Sequence, residues 1–364
     1  MSPTRDALVP QRGVFDLEEA GTCPLVGVVI LNWNGWLDTL EAVTSARRSC
    51  YGRLRLYVVD NASTDGSESR LREAGSDVVV LQAGANLGWA GGNNVGILRA
   101  ISEGCKHVLL LNNDARLQPE SIGALVEVAE TLADVACLGS LIVRWGDPGW
   151  VEFGGSFVEE RTGLPSQIHG RASVLNLAEA PRRAVAVKGC SMLLTALGLA
   201  RVGLLTEDYF LNYDETDWCY RAARAGLASW LVPLSIVEHK GALSFGGTEG
   251  PLYRYFITRN RLVFARRHLG LRGRWHAWKS AFWDLRQALF APRPAGIEKS
   301  RSPGRVAMAW VVLIASADHC RSRLGDCPAF VRKLNATTQK GVFSNPGMSL
   351  ERPEIDDAKR VDPL

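Results

Sequence analysis

A run of large apolar residues at 108–111 ends abruptly in two amides and a carboxylate, Asn112, Asn113 and Asp114. The apolar run predicts a buried strand of a parallel sheet. Its polar end then lies at the carboxyl edge, where open α/β sheets bind their ligands. Carboxylate and amide oxygens at that edge could hold a hard divalent cation. Alone, the pattern is equally typical of a helix cap ahead of Pro119.

Polar or glycine-rich residues follow other apolar runs in the same way. Runs at 25–31 and 54–59 predict two further buried strands, and a loop rich in glycine and asparagine spans 86–96. The residues that follow these runs are Asn32, Trp33, Asn34, Asp60, Asn61, Asn86, Gly92 and Asn93. Helices are expected between the strands, and this alternation predicts a doubly wound α/β sheet whose loops meet at one edge. The 86–96 loop has neither a GxGxxG pattern nor a P-loop lysine, so a dinucleotide site is not expected.

A second acidic cluster, Asp214, Glu215 and Asp217, opens a predicted helix that also carries Arg221. One carboxylate of such a cluster can deprotonate a hydroxyl group, whereas Asp217 and Arg221 have the spacing of an ion pair. A solvated helix N-terminus would show the same residues. Downstream, His239 closes a short predicted strand, where it is either a metal ligand or a hydrogen-bonded structural residue.

The charged residues are unevenly distributed. The 364-residue chain has a net charge of +4, yet residues 251–340 contain 18 Lys and Arg against four Asp and Glu. An acidic body with a basic region facing an anionic partner, nucleic acid or a membrane surface, would give this distribution. The eight cysteines form no CxxC pair, and the sequence shows neither a signal-peptide core nor an apolar run of spanning length. We therefore expect reduced thiols in a cytoplasmic protein.

Taken in order, the strand-end loops resemble those of the inverting family 2 glycosyltransferases, and within them the rhamnosyltransferase-like branch. The resemblance covers about residues 25–265 and depends on four motifs and their spacing, at 29–34, 58–66, 86–96 and 111–114. It implies a GT-A fold, a mostly parallel Rossmann-like sheet flanked by helices with a C-terminal helical extension. It also implies a nucleotide-diphosphate sugar donor and a divalent metal, Mn²⁺ or Mg²⁺.

The resemblance also implies roles for individual residues. Asp60 matches the carboxylate that reads the nucleotide base, and Trp33 lies where an aromatic ring could cover that base. Asp114 matches the last acid of the metal-binding DxD motif, whose first acid is Asn112 here, and His239 matches a histidine that completes the metal shell. The other expected donor-binding residues are Asn32, Asn34, Asn61, Asn86, Gly92, Asn93, Asn113 and Arg259.

The catalytic base is expected in the second acidic cluster. The family usually has Glu-Asp-x-Asp where this chain has Asp214-Glu215-Thr216-Asp217, so Glu215 takes the position of the base and Asp214 is the alternative. Arg259 belongs to a Tyr-aromatic-x-x-Arg-Asn element of the same branch. It could contact a diphosphate or form an ion pair on its helix.

The residues beyond 268 are outside the resemblance. Trp275, Trp278 and Phe282 recur at three- and four-residue steps among basic residues, which predicts either an interfacial membrane helix or a helix docked on the catalytic domain. The expected organisation is a flexible leader at 1–22, a nucleotide-sugar-binding half at 23–132 and an acceptor and catalytic half at 133–268. A basic amphipathic extension at 269–330 and a disordered tail at 331–364 complete it.

The predicted function is transfer of a sugar, L-rhamnose or a similar one, with inversion, from its nucleotide diphosphate to an acceptor hydroxyl. The expected acceptor is a cell-surface polysaccharide or glycolipid precursor on a lipid carrier. The enzyme would then be peripheral on the cytoplasmic face of the inner membrane and bind no nucleic acid. The alternatives are a soluble small-molecule acceptor and a nucleotide-sugar-binding protein without turnover.

Overall fold

The computed structural model describes residues 23–73, 75–175, 179–241, 250–290 and 304–340, with side chains up to 336. The chain divides into two compact units. The first contains the described residues up to Phe157, together with Gln167–Glu207 and Asp214–Lys240. The second contains Val158–Ser166, Asp208–Tyr213 and the described residues from Gly241 onward. The segment 251–268, which the sequence assigns to the catalytic domain, thus belongs to the second unit.

Strands and helices alternate along the first half of the chain, as predicted. These elements are β1 Val26–Asn32, α1 Trp36–Arg47, β2 Leu54–Asp60, α2 Ser67–Arg72, β3 Val78–Gln82, α3 Gly88–Ser102, β4 His107–Asn112, β5 Ala115–Leu117 and α4 Ser121–Thr131. From 133 to 240 the elements are β6 Val135–Arg144, β7 Asp147–Phe153, β8 Ser156–Val158, β9 Pro165–Gln167, β10 Gly170–Arg171, β11 Arg182–Ala184, β12 Ser191–Leu194, α5 Ala196–Val202, α6 Asp214–Arg224 and β13 Ala228–His239.

The first unit is built on one mixed sheet with the order β10-β7-β6-β12-β4-β1-β2-β3, and β13 pairs with β6, β5 and β11. The strands β4, β1, β2 and β3 are mutually parallel, whereas β12 runs antiparallel to both β4 and β6. The sheet is therefore mixed, because β13 is again parallel to β6 whereas β12 runs against its neighbours. In the register, Asn32 lies opposite Asp60, and Leu31 lies opposite Asn112. The polar ends of three neighbouring strands thus meet at one edge, as expected.

Both faces of this sheet are buried, which explains its continuous apolar strands. Along β1, Val28 and Ile30 belong to one core cluster, whereas Val29 belongs to the cluster on the other face. Helix α3 packs closely over β1 because Gly92 has no side chain. A Cβ at this residue would lie 2.4 Å from a methyl carbon of Leu31. Gly92 therefore has a packing role in addition to its predicted proximity to the donor.

The second unit is helical. Its long elements are α7 Pro251–His268, α8 Leu271–Phe290, α9 Arg305–Cys320 and α10 Ala329–Lys340. Helices α7, α8 and α9 pack against one another, and Asp284 of α8 accepts hydrogen bonds from Arg254 and Arg261 of α7. Because α10 extends to residue 340, the predicted disordered tail is wrong for 331–340, and its remainder lies outside the described residues, as does the leader. Within the described part of the chain, no helix is long and apolar enough to cross a membrane.

Candidate active site

The ends of β1 and β2 are joined by buried polar side chains. The Asn32 amide donates to Oδ1 of Asp60 at 2.7 Å and accepts a hydrogen bond from the Thr39 hydroxyl at 2.7 Å. From the described residues, Oδ2 of Asp60 accepts a single bond, at 3.2 Å from the Ser63 N–H. The residue Asn34 has a φ of 52° and accepts a 2.7 Å bond from the Thr64 N–H. These bonds fix the Asp60 carboxylate at the sheet edge.

The amide side chains predicted to bind the donor at Asn61, Asn86 and Asn93 hold the backbone of the loop before α3. Asn61 donates to Asn86 Oδ1 and to the Gly88 carbonyl, both at 3.1 Å, and it accepts from the Leu87 N–H. Asn93 donates to the Trp89 carbonyl at 2.9 Å. The loop that starts α3 is thus tied to the end of β2.

The remaining predicted donor residues near this edge are Asn113 and Trp33. Asn113 lies 3.4 Å from the Gly35 carbonyl and 3.3 Å from the Thr39 hydroxyl, and Trp33 is half-buried. Donor contacts of all these residues stay predictions.

Asp114 and His239 are brought together by the antiparallel pairing of β5 with β13. Oδ1 of Asp114 is buried, accepts no hydrogen bond from any described residue, and lies 3.4 Å from Nε2 of His239. Nδ1 of His239 lies 2.8 Å from a carboxylate oxygen of Glu152 on β7. A carboxylate on the far nitrogen fixes the ring orientation of a metal-binding histidine, and this geometry provides such a partner.

The donor set fits part of a shell for a divalent metal. The buried Asp114 Oδ1 and the adjacent Nε2 of His239 are both ligand types that Mn²⁺ binds. The third predicted ligand, Asn112, already accepts a 3.0 Å hydrogen bond from the indole of Trp89. Among the described residues, no three His, Cys, Asp or Glu side chains could hold a metal by themselves. A metal held here would therefore need further ligands, such as water or the oxygens of a bound diphosphate.

The charge state of His239 depends on its neighbours. Burial lowers the pKa of His239, but Cys190, Asp114 and Glu152 raise it, and the net pKa is well above its usual value. A proton and a divalent cation would therefore compete for Nε2.

The three acids of the second cluster occupy the first turn of α6, where the helix dipole favours negative charge. Asp217 is buried and accepts hydrogen bonds from the Thr206 hydroxyl at 2.7 Å and from Arg221 at 3.0 Å. The predicted Asp217–Arg221 ion pair is thus confirmed. Arg221 also donates to two backbone carbonyls of the chain before α6. Asp217 therefore fixes the start of the helix, which leaves little capacity for proton transfer.

Glu215 is in a different environment. Its side chain is half-buried. Burial raises the pKa of Glu215, although its own backbone N–H and the charge of Lys188 partly oppose the shift. A carboxylate with a raised pKa is a stronger base at neutral pH. Asp214, in contrast, is almost completely buried.

In the second unit, α7 holds the loop Asp208–Tyr213, which leads directly into Asp214. The amide of Asn260 donates to the carbonyls of Tyr209, Leu211 and Asn212 at 2.9, 2.7 and 3.0 Å. Three non-glycine residues of this loop have a positive φ, namely Phe210, Asn212 and Tyr213 at 65°, 64° and 73°. Such residues carry strain that surrounding bonds must offset.

Arg259 takes part in the same bracing. Its fully buried guanidinium donates to the carbonyls of Tyr209 at 2.8 Å and Gly325 at 2.7 Å, and to Asn260 Oδ1 at 2.9 Å. Of the two alternatives for Arg259, the ion pair on the helix is therefore wrong for the described residues. To contact a diphosphate, the Arg259 guanidinium would have to break these bonds to the carbonyls and to Asn260.

Three contributors were not predicted from the sequence: Glu152, Trp89 and Asn260. Trp89 and Asn260 lie inside recognised motifs, next to residues that were selected. Glu152 lies outside every recognised motif, and it is 87 residues away from its partner His239. No sequence signal identifies it.

A family model described as glycosyl transferase family 2 matches residues 27–174. The chain is 26% identical over 244 residues to the low-salt glycan biosynthesis hexosyltransferase Agl10 of Haloferax volcanii, covering 65% of this chain and 74% of that protein. It is 22% identical over 249 residues to the dTDP-rhamnosyl transferase RfbF of Shigella flexneri, covering 66% and 79%. It is 26% identical over 260 residues to the N-acetylglucosaminyl-diphospho-decaprenol L-rhamnosyltransferase of Mycobacterium tuberculosis, covering 64% and 80%.

Two solved structures resemble the fold. GalNAc-T7 with UDP, GalNAc and Mn²⁺ matches with a TM-score of 0.54 at 15% identity, over 88% of this chain and 58% of that chain. The present chain therefore spans less than two thirds of the length of GalNAc-T7. The mannosyltransferase PcManGT of Pyrobaculum calidifontis, in complex with GDP-Man and Mn²⁺, matches with a TM-score of 0.52 at 16% identity, over 82% and 88%. At such identities the structures show the fold alone, which is GT-A, as predicted. The family model over residues 27–174 and the relatives named as rhamnosyltransferases, together with this fold, support a family 2 glycosyltransferase.

Proposed function

We propose that this enzyme transfers L-rhamnose or a similar hexose, with inversion, from a nucleotide diphosphate to a hydroxyl group of a glycan acceptor. The observation that carries the proposal is the buried Oδ1 of Asp114, which has no well-formed hydrogen bond to a described residue and lies 3.4 Å from His239 Nε2. A buried carboxylate oxygen so weakly satisfied by protein groups is costly unless it binds a ligand. The relatives named as rhamnosyltransferases support the choice of sugar.

The donor site uses groups that the sheet edge already orders. The Oδ2 atom of Asp60 has acceptor capacity left for the imide N–H of a uracil or thymine base, and the half-buried Trp33 can cover the base. Asp114 and His239 would hold a Mn²⁺ or Mg²⁺ ion, whose charge offsets the negative charge that develops on the leaving diphosphate.

Glu215 acts as the general base in this proposal. It removes the proton from the acceptor hydroxyl, whose oxygen attacks the anomeric carbon on the face opposite the diphosphate. The bond from that carbon to the diphosphate oxygen breaks, and its electron pair leaves with the nucleotide diphosphate. The configuration is thereby inverted, and the proton remains on Glu215.

The proposed acceptor is a lipid-linked glycan precursor, reached from the cytoplasmic face of the membrane by a peripherally bound enzyme. Two observations support this choice. The Mycobacterium tuberculosis relative is named for a decaprenol-linked acceptor. In addition, residues 251–340 carry the strong basic excess expected of a region that faces anionic lipid.

The decisive experiment is a panel of nucleotide sugars, with nucleotide diphosphate release measured in the presence of Mn²⁺, of Mg²⁺ or of EDTA. We expect release from a deoxythymidine- or uridine-linked hexose that depends on the metal and on an added acceptor. Donor binding without release from any member of the panel would indicate a binding protein without turnover. Rapid transfer to soluble aglycones alone would contradict the lipid-linked acceptor.

A further inference from the structure

Helix α8 has a stripe of large apolar side chains that face solvent. Leu271, Trp275, Trp278 and Phe282 follow one another at steps of four, three and four residues, and we call them the aromatic stripe. At about 100° per residue they lie within an arc of about 60°. Their exposed fractions are 84%, 64%, 41% and 71%, respectively. The helix packs through its small residues instead, since Gly273, Ala277 and Ala281 are buried.

Helix α9 adds further exposed apolar residues. It packs against α8, and its residues Val306, Trp310 and Leu313 are exposed at the same helical spacing. The Trp278 ring packs against the ring of His319 on α9 in a T-shaped arrangement, with centroids 5.7 Å apart. An exposed apolar surface of this kind marks an interaction site.

The exposed charged side chains of α8 itself are all positive. Arg272, Lys279 and Arg286 are exposed and recur every seven residues, so they form one row along the helix, which we call the basic row. The single acidic residue in each of α8 and α9 is buried. Asp284 pairs with Arg254 and Arg261, and Asp318 accepts a 2.8 Å bond from the Tyr255 hydroxyl. Neither helix therefore presents a carboxylate to solvent.

We propose that the aromatic stripe and the basic row dock the enzyme on an anionic lipid surface, with α8 lying in the plane of the interface. Tryptophan and phenylalanine enter the boundary between headgroups and acyl chains, while flanking Arg and Lys contact lipid phosphates. A second copy of the chain is a poorer occupant, because a self-complementary contact would place two basic rows against each other. Docking would bring the enzyme to a lipid-linked acceptor, and in this respect the proposal rests on the proposed function.

The test is co-sedimentation of the full chain with vesicles of phosphatidylcholine alone or mixed equally with phosphatidylglycerol. We expect binding to the mixed vesicles that falls with added salt. Trp275→Ser with Phe282→Ser should lower the vesicle partition coefficient at least about tenfold. Each Gln substitution in the basic row should lower it about fivefold at low salt. Leu98→Ser, which removes an apolar residue of similar exposure on α3, should leave it unchanged.

Three outcomes would overturn the proposal. They are equal binding to neutral and anionic vesicles, unchanged binding of the serine double variant, and a dimer in light scattering that this variant dissociates. Nucleotide diphosphate release without vesicles is measured for every variant in parallel. If the wild type binds vesicles but releases no nucleotide diphosphate, the proposed function is refuted and the docking surface is not. If it releases nucleotide diphosphate but does not bind vesicles, the docking surface is refuted and the proposed function is not.

Discussion

The hydrogen bonds of Asn260 should stabilise both the fold and the position of the proposed base. Asn260→Ala removes the amide that donates to three carbonyls of the loop Asp208–Tyr213. The amide nitrogen carries only two hydrogens, so one of them is shared between two carbonyls. We therefore count the three contacts as two hydrogen bonds. The substitution also removes Oδ1, which accepts a 2.9 Å bond from the buried Arg259 guanidinium. At about 1 kcal/mol for each of these three bonds, plus the cost of buried groups left without a partner, the variant should lose about 3–5 kcal/mol of unfolding free energy.

The same substitution should affect catalysis through the strained loop. Without Asn260, the positive φ angles of Phe210, Asn212 and Tyr213 are offset by fewer bonds, and the loop relaxes. Because Tyr213 is followed by Asp214 and Glu215, the proposed base moves with it. A displacement of about 1 Å at a reacting group can cost about a hundredfold in rate. We therefore expect kcat to fall about tenfold to hundredfold, whereas the Kd of the donor changes little.

Urea unfolding and steady-state nucleotide diphosphate release measure the two effects separately. Asn335→Ala is the matched control, because Asn335 is also a buried amide of the second unit but makes one 3.4 Å bond to the Leu252 N–H. It should cost less than about 1 kcal/mol and leave kcat unchanged. A large stability loss in Asn260→Ala with unchanged kcat would refute the positioning role. No loss of either quantity would refute the bond network itself.

Further substitutions and a pH profile test the remaining site residues. Glu215→Gln should abolish transfer but retain donor binding, and full activity of this variant would exclude Glu215 as the base. Because burial raises the pKa of Glu215, its ionised form is lost as the pH falls through that raised value. The acid limb of kcat should therefore lie above the range of an ordinary glutamate, with its pKa of about 4.3; a limb at that value would contradict the assignment. Asp114→Ala should lose Mn²⁺-dependent donor binding in calorimetric titration, and an unchanged titration would count against it. Glu152→Gln should weaken Mn²⁺ affinity about 10- to 100-fold by removing the partner of His239, whereas the exposed Asp147→Asn on the same strand should not; equal effects would argue against orientation through Glu152.

The sheet edge was predictable because it depends on local signals. Each apolar run ends where a strand ends, and short crossovers place parallel strands side by side. The register of Asn32 against Asp60 then follows from matching strand ends. The mixed character of the sheet was not predictable, since β12 enters between β4 and β6 from a distant part of the chain.

Side chains whose role depends on a distant loop were harder to assign. Arg259 was selected because it matches the Tyr-aromatic-x-x-Arg-Asn element, with a diphosphate contact or an ion pair as its expected role. Its partners are instead the carbonyls of Tyr209 and Gly325, which only the folded chain brings to it. For α8, the sequence indicated an amphipathic helix but not which side packs. The small residues Ala277 and Ala281 face inward, so the aromatic residues remain outside.

The three acids that open α6 illustrate how environment separates residues of the same type. Asp217 is surrounded by donors, and its bonds to Thr206 and Arg221 would have to break before it could accept a proton from substrate. Burial raises the pKa of Glu215, because the charged carboxylate is poorly solvated there. The ionised side chain therefore takes up a proton more readily than an ordinary glutamate does. A base for an acceptor hydroxyl needs that property, and it must also reach the substrate, which a half-buried side chain can do. Bonding therefore favours Glu215 over Asp217, and accessibility favours it over the almost completely buried Asp214, independently of its position in the motif.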